Sequence, residues 1–218
     1  MPESLSLFHI TRPSTITDQK PPAIILLHGY GSNEEDLFSF ASELPTELFV
    51  ISVRAPQPMQ PYGNAWYTIH WDTTNGKFND IDEAIASRDL IAKFVSEAIQ
   101  AYNLDANNIT LLGFSQGCIL SLATAISYPT LAKNVIGLSG YLDPEMLQPG
   151  YENADFKRLN IFLSHGNVDQ VIPVEWARKT PEFLKTIGIN TELKEYPVGH
   201  GVAPQNFYDL KQWLSTRI

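Results

Sequence analysis

Five short apolar runs constrain this chain more than anything else in it: AIILLH (23–28), FVISV (49–53), ITLLGF (109–114), VIGL (135–138) and IFLS (161–164). Each has the length of a strand. Each is too continuously apolar to leave one sheet face in water. Segments with helical spacing separate them. The longest covers 79–102 and gathers Ile81, Ile85, Leu90, Ile91, Phe94, Val95, Ala98, Ile99 and Tyr102 on one side. Asp80 and Asp82 stand near its start, where the helix dipole favours carboxylates. Helical patterns also cover 33–44, 116–127, 175–186 and 205–216, and 191–196 alternates as an edge strand does. Strand and helix in alternation, with strands apolar on both faces, predict an α/β chain. Its sheet is mostly parallel and twisted, with helices on both faces. No repeat or linker divides the sequence. Its 218 residues, 44% hydrophobic, suffice for one core, so a single domain over 1–218 is expected.

In such a sheet, chemistry sits beyond the carboxyl ends of the strands. The residues that follow the strands are 28–31 (HGYG), 54–56 (RAP), Ser115, 139–141 (SGY), 165–169 (HGNVD) and 199–201 (GHG). The sharpest of these is the strand-to-helix joint GFSQG (113–117). A serine hydroxyl is a weak nucleophile that must be exposed to substrate and held beside a base. A tight turn after a strand lifts Ser115 above the sheet edge. Such a turn brings strand and helix so close that side chains at 113 and 117 would collide, and both positions are glycine.

On a sheet of this type the acid and the base follow the nucleophile in chain order. Of the five histidines, His9, His28 and His70 precede Ser115; His165 and His200 follow it. A base at His165 would need Asp143, Glu145, Glu152 or Asp155 as its acid, and none of these directly follows a strand. A base at His200 has Asp169, in the loop after the preceding strand. The expected catalytic set is therefore Ser115, Asp169 and His200. His165 is expected to shape the acid loop, and His28 to brace the loop behind it. Acyl transfer also needs donors for a developing oxyanion. The backbone N–H groups of Tyr30 and Gln116 are the candidates. The stretch 56–78 reads as irregular and rich in large side chains, among them Met59, Tyr62, Trp66, Tyr67, Ile69, Trp71 and Phe78. Trp66 and Tyr67 are expected on the acyl side of a shallow pocket, with Tyr141 and Leu142 on its opposite rim.

Charge narrows the partners. The formal net charge is -9 with no basic run, which argues against nucleic acid and anionic lipid surfaces. No apolar run has the length needed to span a bilayer. The single cysteine, Cys118, allows no intrachain disulfide, and the start MPESLSLFHI lacks a secretory pattern. A cytoplasmic location is expected. The three His-Gly pairs lack any local ligand spacing, so no metal is expected.

Five segments carry a likeness: LLHGYGSNEEDL (26–37), AWY (65–67), GFSQGC (113–118), LSHGNVDQVIP (163–173) and GHGV (199–202). With them the sequence resembles the phospholipase/carboxylesterase branch of the α/β-hydrolases, which includes the acyl-protein thioesterases. The resemblance implies an α/β-hydrolase fold and a cofactor-free serine esterase. Thioesters and lysophospholipids are substrates of some members. It carries the triad onto Ser115, Asp169 and His200, and the oxyanion donors onto Tyr30 and Gln116. The chain departs from the acyl-protein thioesterases at Tyr30-Gly31-Ser32, commonly Leu-Gly-Asp there, and at Cys118, where glycine is common. The length leaves no room for a large lid domain. The expected partner is a small ester or acyl thioester, and a homodimer stays open. Two rival readings remain: a serine peptidase or amidase on the same fold, and a catalytically silent binding module.

Overall fold

A computed structural model describes the backbone of residues 5–72 and 76–218, and the side chains outside 71–78. Eleven strands are described: β1 (His9–Arg12), β2 (Ala23–Leu27), β3 (Phe49–Val53), β4 (Gln57–Pro58), β5 (Asn64–Ala65), β6 (Ile69–Asp72), β7 (Gly76–Asn79), β8 (Ile109–Phe114), β9 (Asn134–Leu138), β10 (Asn160–Gly166) and β11 (Leu193–Tyr196). Five helices accompany them: α1 (Glu35–Phe38), α2 (Ile81–Ala101), α3 (Gln116–Ser127), α4 (Val174–Thr186) and α5 (Pro204–Ser215).

Seven strands form one sheet in the order β1-β3-β2-β8-β9-β10-β11. Every pairing is parallel except β1 with β3. Alternate residues of each central strand serve opposite faces. Ile25, Leu27, Leu111, Val135 and Leu163 share one core with Phe94 and Val95 of α2 and Leu122 and Ile126 of α3. Ile24, Leu26, Leu112, Ile136, Leu138 and Phe162 share the other with Leu37 of α1 and Leu210 and Leu214 of α5. Two buried faces explain the unbroken apolar runs. The mostly parallel sheet with helices on both faces is the architecture read from the sequence, and no lid domain is present among the described residues.

Some expected elements differ. The helix expected over 33–44 is a single turn, α1, followed by further turns. The Arg12 guanidinium donates to the carbonyls of Ala41, Leu44, Pro45 and Leu48 at 2.7 to 3.1 Å, so the end of this segment is tied to β1. Ser39, Phe40 and Ala41 instead donate three residues back, as in a tighter winding that seldom runs long. The stretch 56–78, expected to be irregular, holds two small antiparallel hairpins, β4-β5 and β6-β7. The antiparallel edge strand β1 was not foreseen. Helix α2 begins at Ile81, with the Asp80 carboxylate accepting from the Glu83 N–H at 3.1 Å.

Candidate active site

The ends of β8, β10 and β11 deliver three side chains to one edge of the sheet. Ser115 sits between β8 and α3 at φ 54° and ψ −116°, a strained conformation for a residue with a side chain. Packing holds it there. A Cβ at Gly117 would lie 1.9 Å from the Leu27 carbonyl oxygen, and one at Gly113 would lie 2.1 Å from the Gly117 oxygen. The Ser115 N–H donates to the Leu138 carbonyl at 2.9 Å, which ties the turn to β9.

The Ser115 hydroxyl lies 3.0 Å from His200 Nε2, and His200 Nδ1 lies 2.7 Å from Asp169 Oδ2. The Asp169 carboxylate is sealed from water, while the His200 side chain stays 17% exposed on the cavity side. The dry group is thus the carboxylate and the accessible one is the ring. Asp169 Oδ1 accepts from the N–H groups of Val171 and Ile172 at 2.8 and 3.0 Å. Burial pushes the Asp169 carboxyl up, but the hydrogen bonds from His200, Ile172 and Val171 outweigh it and hold the group below its usual value. A charged carboxylate requires the proton on His200 Nδ1, which leaves Nε2 free to accept from the serine.

Tyr30 and Gln116 N–H donate to no other backbone carbonyl among the described residues. Gln116 opens α3, so the positive end of the helix dipole lies behind its N–H. Its side chain joins the serine turn to the loop after β5: Oε1 accepts from Trp66 N–H at 2.9 Å and Nε2 donates to the Tyr67 carbonyl at 2.7 Å. His28 fixes the neighbouring loop. Its Nδ1 donates to the Gly29 carbonyl at 2.7 Å and its Nε2 accepts from Ala55 N–H at 3.0 Å. Burial pushes the His28 ring down, and the Ala55 bond requires a bare Nε2, so the ring is neutral.

A cavity of about 640 Å³ opens over Ser115 and His200. Gly29, Tyr30 and Gln116 border the serine, and Tyr67 and Tyr141 form part of the wall. At this size it is a cleft of ordinary ligand-site dimensions. Trp66 is not part of its wall. It is fully buried, and its indole N–H donates to the His28 carbonyl at 2.9 Å, so it braces the loop that carries Tyr30. Leu142 faces a separate cavity of about 400 Å³, beyond Tyr141 and Trp176. Trp71 and Phe78 lie outside the residues whose side chains are described. Asp36, Asp143 and Glu145 line the main cavity, and no lysine or arginine does among the described residues. Sequence reasoning overlooked the Gln116 side chain, because its partners lie 50 residues away in a loop without regular pattern.

A profile of the Phospholipase/Carboxylesterase family matches residues 12–218. The chain belongs to the phospholipase/carboxylesterase family. Membership makes it a hydrolase of the carboxylesterase type. Acyl-protein thioesterase 1 of Mycosarcoma maydis is 27% identical over 219 residues, covering 89% of this chain and 91% of that protein. A probable carboxylesterase of Oryza sativa subsp. japonica is 26% identical over 156 residues; the match takes in 71% of this chain and 58% of that protein's length. Among solved structures, esterase PE8 superposes with a TM-score of 0.84 at 24% identity, covering 97% of this chain and 99% of that one. The fold is thereby that of the α/β-hydrolase family. No described helix is long and apolar enough to cross a membrane.

Proposed function

We propose that this family member hydrolyses uncharged carboxylic esters through an acyl-enzyme on Ser115. The single observation that carries the reading is the unbroken chain Ser115 Oγ–His200 Nε2–His200 Nδ1–Asp169 Oδ2, at 3.0 and 2.7 Å, beside a cavity. His200 takes the Ser115 proton as the oxygen attacks the ester carbonyl. Asp169 holds the imidazole in the needed tautomer and offsets its charge. The N–H groups of Tyr30 and Gln116 receive the oxyanion. His200 returns the proton to the leaving alcohol. Water then repeats the sequence and frees the acid.

The cavity's charge supports the substrate class. Three carboxylates, with no facing cation among the described residues, repel a polyanionic leaving group. Uncharged alcohols, or short uncharged thiols, meet no such barrier. The acyl-protein thioesterase relatives make thioesters the natural second substrate to test. The experiment is a panel of p-nitrophenyl esters, uncharged acyl thioesters and matching anilides, run with wild type and Ser115→Ala. A fluorophosphonate should label Ser115 of the wild type alone. Turnover that survives in Ser115→Ala removes the proposal. An anilide cleaved faster than its ester would favour a peptidase, and a folded protein without label or turnover a binding module.

A further inference from the structure

The two oxyanion donors come from different loops, and one short segment is bonded to both loops. On the Tyr30 side the contact is backbone to backbone. Asn64, the first residue of β5, accepts from the Gly31 N–H at 2.9 Å and donates to the Ser32 carbonyl at 2.7 Å. Ser32 and Asn64 thus form an antiparallel bridge, which fastens the Tyr30 loop to the β4-β5 hairpin. Gly63 makes this approach possible. A Cβ there would lie 2.1 Å from the Gly31 carbonyl oxygen and 2.6 Å from its carbon, and the residue holds φ at 86°. On the Gln116 side the contact is the buried side chain, of which the catalytic scheme above uses nothing. It accepts from the Trp66 N–H and donates to the Tyr67 carbonyl.

The segment is itself anchored. The Trp66 carbonyl accepts from the Ser87 hydroxyl of α2, and the Thr68 N–H donates to Glu83 Oε2 of the same helix at 2.6 Å. The Trp66 indole holds the His28 carbonyl, two residues before Tyr30. Neither Gly63 nor Asn64 is bonded to Ser115, Asp169 or His200 among the described residues. We infer that residues 63–67 are the brace that sets the spacing of the two oxyanion donors, with Gly63 and the Gln116 side chain as its positioning residues. Donors stabilise an oxyanion fully only when they are fixed before the charge develops, so that nothing reorganises during the reaction. Helix α3 fixes the Gln116 N–H from one side. The Tyr30 N–H lies in a loop, and the brace refers that loop to the same helix through Gln116 and to α2 through Ser87 and Glu83.

The inference rests on the proposed acyl-enzyme reading, which Ser115→Ala tests separately. It is tested first on the unaltered protein. The Gly31, Asn64 and Trp66 N–H groups should be protected from hydrogen exchange; exchange at the free-chain rate overturns the brace whatever any variant does. A trifluoromethyl ketone then reads the donor geometry. Ser115 Oγ adds to its carbonyl carbon, the serine proton passes to His200, and the ketone oxygen takes the negative charge between the donors. Gly63→Ala must open the contact with Gly31 by about 0.9 Å, from 2.1 Å to the 3.0 Å that real Cβ atoms respect. It should lower kcat about 10-fold to 100-fold and raise Ki for the ketone by a similar factor. KM should stay within about threefold, and the pH profile of kcat/KM should not move. Gln116→Met keeps the backbone donor and the bulk but loses both side-chain bonds. It should show the same signature, and it decides the matter if Gly63→Ala does not fold. Gly188→Ala controls for backbone cost: its φ is 82°, yet a Cβ there meets nothing within 4 Å. It should keep kcat and Ki. Wild-type kcat and Ki in either folded test variant overturns the inference. So does a fall in kcat with Ki unchanged or with a shifted pH profile, since the damage would then lie outside the donors.

Discussion

Replacing Gly117 by alanine tests the turn on which the proposed active site stands. Two effects oppose each other. Alanine in place of a helical glycine ordinarily gains about 1 kcal/mol from helix propensity. Here the new Cβ would lie 1.9 Å from the Leu27 oxygen and 2.8 Å from the His28 oxygen, below the 3.0 Å that real Cβ atoms respect. Both obstacles are backbone. Leu27 is fully buried at the end of a central strand and cannot step aside. The start of α3 must therefore shift by about 1.1 Å, the difference between the built and the allowed contact. Overpacking of this kind costs roughly 1–3 kcal/mol or more. The net is a loss of up to about 2 kcal/mol, or up to roughly 8 °C in Tm for a domain of this size. The same shift carries Ser115 and the Gln116 N–H with it, and a misplacement of about 1 Å costs on the order of 100-fold in rate. Differential scanning calorimetry reads the first effect, and kcat/KM on a p-nitrophenyl ester reads the second. Gly201→Ala is the control. Gly201 adjoins His200, yet a Cβ there would meet nothing within 4 Å. That variant should keep its Tm and its kcat/KM within about threefold. A Gly117→Ala protein as stable and as active as wild type would refute the argument.

Asp169→Asn should lower kcat by about 10⁴-fold, because an amide can stabilise the wrong His200 tautomer. Stability titrates with the same residue. Its folded carboxyl is held below the usual value, so the stability it contributes is complete above the unfolded value of about 3.9 and is lost as the pH falls through the folded one. Urea unfolding should therefore show a gap between wild type and Asp169→Asn that is constant above about pH 5 and narrows below pH 4; a gap that persists to pH 2 contradicts it. Trp66→Phe leaves the buried His28 carbonyl without its indole donor and should cost roughly 1–3 kcal/mol by chemical denaturation. KM should change little, since the ring is outside the cavity wall; a large rise in KM would place Trp66 against substrate after all. Between two esters of equal acyl length, the one with a phosphorylated alcohol should show the lower kcat/KM, and added salt should narrow the difference. An equal rate for both removes the role given to Asp36, Asp143 and Glu145.

The sequence by itself determined what depends on neighbours in the chain. Runs such as AIILL report a strand buried on both faces, since each residue must suit whichever core it meets. The spacing GFSQG reports a turn whose sterics exclude a side chain at 113 and 117. Chain order and loop position were then enough to select Asp169 and His200 over their rivals, because a parallel sheet brings the loops after its strands to one edge. Tertiary structure alone decided which distant atoms share a hydrogen bond. Nothing local marks Arg12 as the residue that takes the carbonyls of Ala41, Leu44, Pro45 and Leu48. Nothing in AWY says that Trp66 turns inward to His28 while Tyr67 faces the cavity. His165 stands only four residues before Asp169, yet its bond to the Ile172 carbonyl depends on how the loop folds back over the end of β10. Periodicity and turn sterics are written in contiguous residues. The direction of a buried polar group is set by partners that only the packed sheet brings within reach.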